Sequence, residues 1–99
     1  MLYAFICEDN PDSLAVRKQI RPKHLERLHA LIEQGRLLLA GPHPAVDSAD
    51  PGDAGYSGSL IVAEFEDLAA AQQWADQEPY LAAGVYRSIV VKPFVQALP

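Results

Sequence analysis

Apolar residues along this chain alternate between runs suited to strands and a spacing suited to helices. "MLYAFIC", Met1 to Cys7, is apolar and aromatic-rich and stops at the turn-like "EDNPD", which predicts a buried strand. Asp12 is placed to cap a short helix through "SLAVRKQI", but Pro22 removes a backbone donor and biases Arg21 away from helical angles, so a break is expected near Arg21. Pro22 suits a first helical turn. "KHLERLHALIEQG" then carries Leu25, Leu28, Leu31 and Ile32 at helical spacing before Gly35 stops it. "RLLLAGPHP" reads as a second strand, and the Pro- and Gly-rich segment from Pro42 to about Ser57 reads as a long loop suited to a lid or a subunit contact. "SLIVAEFE" from Ser59 is a third strand. Asp67 is placed to cap a helix through "LAAAQQWADQ", and Pro79 opens a short helix in "EPYLAAG". "VYRSIVVKPF" is a fourth strand, expected to end at Pro93.

The order is β-α-β-β-α-β, which predicts an α+β, ferredoxin-like fold: one four-stranded antiparallel sheet with its helices on one face. The other face of strands this apolar would then lie bare, and a second copy of the chain is expected to cover it, giving a homodimer. The length of 99 residues fits one domain over residues 1–99, with 94–99 as a C-terminal tail.

Thirteen acidic against eight basic side chains give a net charge of -5, a repulsive field for nucleic acid. No apolar run approaches the roughly 18 residues of a membrane span, and the start lacks the basic segment of a secretory signal. The expected address is the cytoplasm. Cys7 is the only cysteine, so there is no internal disulfide and no paired-cysteine metal site. His24, His29 and His43 do not share a helix face at metal-ligand spacing, and no metal is expected. Nor does any Gly-rich turn between strand and helix point to a nucleotide cofactor.

Two places carry chemistry. His24 precedes Leu28 by one helical turn and so borders the core-facing stripe. Near a helix start its imidazole would stay neutral or meet an anion, and Arg17 and Arg21, spaced by four, would gather guanidinium groups at the same entrance. An acidic small molecule suits such a place; solvated arginines and a satisfied boundary histidine are the plainer alternative. Glu78 stands where a cap is wanted, although Asp caps better than Glu. A carboxylate there either favours the helix start only, or reaches His24 and makes it a general base. Ser59 and Tyr80 are candidates for lining the cleft.

Taken together, "RPKHLERL", "GRLLLAGPHPAVDSADPGDAGYSGS", "ADQEPYLAAGVY" and "VVKPF" resemble the YciI family from Met1 to Phe94. The resemblance implies a dimeric α/β barrel and a site centred on a histidine and an aspartate. The histidine matches His24, and "EPY" puts Glu78 where the family has the aspartate of a DPY-type segment. The extra methylene is expected to alter the reach to His24, and a shift of about 1 Å can cost on the order of a hundredfold in rate. Relatives include muconolactone-isomerase-like proteins and a dehalogenating member, which implies cofactor-independent proton transfer or elimination on a small cyclic or acidic molecule. A dimer that binds such a ligand without catalysis, and a purely structural dimer, are the competing expectations.

Overall fold

The computed structural model describes all 99 residues, Met1–Pro99. Strand β1 (Leu2–Asp9) leads to helix α1 (Leu14–Glu33), strands β2 (Leu37–Pro44) and β3 (Tyr56–Glu64), helices α2 (Leu68–Asp76) and α3 (Pro79–Ala82), and strand β4 (Tyr86–Phe94). The strands form one antiparallel sheet in the order β2-β3-β1-β4, with Phe5 opposite both Ile61 and Val91. This is the ferredoxin-like arrangement the pattern predicted.

Alternation along the strands separates two faces. Tyr3, Phe5 and Cys7 of β1 and Ile61 and Ala63 of β3 point to the helices and are buried with Leu28 and Leu31 of α1 and Ala71 and Ala75 of α2. Phe5, Phe65 and Trp74 make one aromatic knot, with ring centroids 5.0 to 5.6 Å apart. Burial pushes the Cys7 thiol up to about 12, so it stays protonated and inert in the folded chain. A Cβ on Gly58 would stand 2.0 Å from the Cys7 carbonyl oxygen, so only glycine permits β1 and β3 to approach this closely.

Helix α1 corrects one expectation. It runs through Pro22 without a break at Arg21. Proline removes only the bond to the carbonyl of Lys18, and both residues face solvent, where water can serve that carbonyl. On the inner side Arg17, His24, Leu28 and Leu31 are held by the core, and tertiary packing outweighs local propensity. His24 therefore sits near the middle of a 20-residue helix, and the helix-start dipole has no part in its environment. Asp12 does not cap α1: it takes a left-handed φ of 57°, and Ser13 precedes the helix without a side-chain bond. Asp67 does cap α2, its carboxylate accepting from Ala70 N at 2.8 Å.

The Pro42 to Ser57 loop is shorter than expected. Pro42, His43 and Pro44 pair with β3, because β2 lies at the edge of the sheet where prolines are tolerated, and the connection contains one 3-10 turn at Gly52–Ala54. For the same reason β4, the other edge, continues past Pro93 to Phe94.

Candidate functional site

Three elements converge on one buried carboxylate. Pro79 starts α3 at its first helical position, which fixes Glu78 as the residue before it. The Glu78 side chain folds back as the cap, Oε1 accepting from Tyr80 N at 3.2 Å. The same oxygen lies 2.9 Å from His24 Nδ1, and the Glu78 side chain is 1% exposed. The longer acid thus caps its helix and reaches the histidine, and the expected loss of close geometry is not found.

An ionised carboxylate accepts only, so the bond assigns the proton of a neutral His24 imidazole to Nδ1. The ring is clamped as well. It stacks on Tyr80 at 4.2 Å and 16° between planes, with the edge of Tyr86 at 6.3 Å. Nε2 makes no bond to the protein, and His24 lines a cavity of about 400 Å³.

The cavity opens between α1 and the β2-β3 side of the sheet. Besides His24 its walls include Arg17, Arg21, Ser59 and Tyr80, all five on one cavity, with Lys18 and Tyr56 beside them. Arg17 is buried. Its Nε donates to Asp9 Oδ2 at 3.0 Å, and its Nη2 donates to Ser59 Oγ at 2.7 Å and to the Gly58 carbonyl at 3.2 Å. Burial works against the Arg17 charge, and the bond to Asp9 with its negative charge more than offsets this. The guanidinium also sits 5.0 Å from the ring centres of Tyr56 and Tyr80. Arg21 makes no such bonds and stands exposed at the mouth. The Tyr80 hydroxyl donates to the Arg17 backbone carbonyl at 3.2 Å, so this side chain supports the site by its ring, and burial raises its pKa.

Two members of the site lie outside the sequence-level candidates. Asp9 closes β1 and anchors Arg17. Arg27 follows His24 by three residues on the same side of α1 and sets Nη1 3.4 Å from Glu78 Oε2. That i, i+3 spacing from His24 was the available signal; for Asp9 there was none, since its partner lies across a turn in another element. No three His, Cys, Asp or Glu side chains converge as metal ligands would.

A model of the YCII-related domain matches residues 1–95. The chain belongs to this family. "Protein YciI" of Escherichia coli O6:H1 is 60% identical over 94 residues, covering 95% of this chain and 96% of that one. An uncharacterized protein of Haemophilus influenzae is 48% identical over the same shares. Among solved structures, 5-chloro-2-hydroxyhydroquinone dehydrochlorinase from Burkholderia phenoliruptrix AC1100, in complex with 2,5-dihydroxybenzoquinone, superposes with a TM-score of 0.84 over 98% of this chain and 96% of that chain, at 23% identity. This YCII-related domain therefore shares the fold of that dehydrochlorinase.

Proposed function

We propose that the chain is a cofactor-independent enzyme that moves a proton on a small organic anion, with Nε2 of His24 as the base. The observation that carries this reading is the buried 2.9 Å contact between His24 Nδ1 and Glu78, which leaves the opposite ring nitrogen without a protein partner on a residue that lines a cavity of about 400 Å³. Glu78 orients the ring and stabilises the imidazolium formed when Nε2 takes a proton. Arg17, Arg21 and Lys18 supply positive charge on one side of the cavity, and Tyr56 supplies an aromatic wall, a setting for a planar ring bearing a carboxylate or phenolate. Proton removal leaves an electron pair on the substrate. It is reprotonated elsewhere in an isomerisation, or expels an anion in an elimination, the reaction class named for the dehydrochlorinase.

The test is a screen of chlorinated hydroxyhydroquinones, hydroxyquinones and unsaturated lactones in D2O, read by NMR for loss of C–H signal and by chloride release. Wild type turns over at least one member, and His24→Gln loses that activity. Activity retained in His24→Gln overturns the assignment.

We also propose that the chain pairs with a second copy through the face of the sheet opposite the helices. Ile6, Leu60 and Val90 lie side by side there, Leu39 and Phe94 extend the patch, and four of these five side chains are 37 to 46% exposed. Light scattering is expected to give twice the 10.8 kDa chain mass, and Val90→Asp is expected to shift it toward one. A concentration-independent single-chain mass contradicts this.

A further inference from the structure

Arg27 has no place in the base-orienter pair as described, yet it touches the one carboxylate oxygen that His24 leaves over. Glu78 has no solvent to stabilise its charge, and Oε1 is already shared by His24 Nδ1 at 2.9 Å and Tyr80 N at 3.2 Å. Oε2 has a single partner, Arg27 Nη1 at 3.4 Å. Arg27 is itself held in place: Nη2 donates to the Trp74 carbonyl at 2.7 Å, and the guanidinium lies 4.3 Å from the Trp74 ring centre. Burial lowers its pKa, and the charge of Glu78 opposes that in part.

We infer that Arg27 is the positioning residue of the site: it acts through Glu78, fixing Oε2 so that Oε1 stays on His24 Nδ1. Three rotatable bonds separate the Glu78 backbone from its carboxylate, and a single anchor at Oε1 would let the group swing about it. A cation anchored on α2 removes that freedom and leaves Oε1 directed at His24 Nδ1. The arrangement spans three elements, His24 and Arg27 from α1, Glu78 before α3 and the Trp74 carbonyl from α2, so it also ties the helices around the base. This inference rests on the His24 and Glu78 reading above.

The experiment compares Arg27→Gln, Glu78→Gln and wild type by the exchange rate of the His24 Nδ1 proton with water. Glutamine at 27 keeps a polar side chain on α1 but carries no charge and is too short to bridge Glu78 and the Trp74 carbonyl. Exchange is expected to quicken by about tenfold or more in Arg27→Gln, the effect of weakening one charge-assisted bond, and Arg27→Lys is expected to restore most of it. Exchange unchanged in Arg27→Gln but quickened in Glu78→Gln overturns the role of Arg27 alone; exchange unchanged in both overturns the pair itself. A second reading needs no substitution at 27. The Arg27 Nη1 protons are expected to be resolved and slow in wild type and to average in Glu78→Gln, and identical guanidinium signals in the two proteins overturn the inference.

Discussion

Turnover of any substrate found for this chain is expected to fall by about 10²–10⁴-fold in His24→Gln, the usual contribution of a positioned general base. The loss belongs in kcat, because the imidazole Nε2 matters when the proton moves, whereas binding rests on the cations and rings elsewhere on the cavity. Glutamine keeps much of the ring's bulk against Tyr80 but has no nitrogen that can take a proton. Glu78→Gln is expected to lose activity to a comparable degree by a different route. An amide can accept or donate, and the Nδ1 proton is no longer assigned. A variant at either position that retains wild-type kcat contradicts the proposed roles. A rise confined to KM would show that the residue serves substrate binding and not proton transfer.

The largest effect on stability is expected at Arg17. Asp9 is nearly fully buried, Oδ1 already lacks a partner, and Arg17 supplies the only bond to Oδ2. Arg17→Met strands that carboxylate and also removes the donor to Ser59 and to the Gly58 carbonyl. Removing one partner of a buried pair costs about 3–5 kcal/mol. For a domain of this size that corresponds to a fall in Tm of roughly 12 °C or more at fixed protein concentration. The double variant Asp9→Leu with Arg17→Met is expected to recover part of the loss, since replacing both members of a buried pair by apolar groups is far less harmful than removing one. Thermal unfolding of Arg17→Met, Asp9→Leu and the double variant decides it. A double variant as unstable as the sum of the singles shows that Arg17 acts through its other contacts. This matters for function, because an arginine spent largely on Asp9 and Ser59 serves the cavity as a fixed wall with Nη1 to spare.

The fold was legible in the sequence because it follows from period and punctuation. Tyr3, Phe5 and Cys7 alternate inward, Leu28 and Leu31 share a helical face, and Asp67 caps where an Asp before an apolar stretch should. What misled was local chemistry weighed without its surroundings. Pro22 reads as a helix break, yet Arg17 on one side and His24 and Leu28 on the other are bound into the core, and one solvent-facing carbonyl is too little to break a helix held so. The prolines at 42, 44 and 93 read as loop or strand end, and edge position decides otherwise.

The site was legible in part. His24, Glu78, Arg17 and Arg21 could be named from residue type, helix position and the family resemblance, and Ser59 and Tyr80 only as candidates for lining the cleft. Their meeting could not, since 54 residues separate His24 from Glu78. The sequence also raised an objection that geometry answers: an extra methylene looks like lost reach, but at the start of α3 it lets one carboxylate cap Tyr80 and hold His24 together. Arg27 was missed although its i, i+3 spacing from His24 was there to be read, and Asp9 because only the turn between β1 and α1 brings it to Arg17.

The central claim is that Glu78 fixes the proton of neutral His24 on Nδ1 and leaves Nε2 as the base. The ring ¹⁵N spectrum of His24, in wild type and Glu78→Gln at a pH where the imidazole is neutral, tests this most directly. Wild type is expected to show a protonated, pyrrole-like Nδ1 and an unprotonated, pyridine-like Nε2, with that preference lost in Glu78→Gln. A wild-type spectrum with the proton on Nε2, or one that does not change in Glu78→Gln, contradicts it.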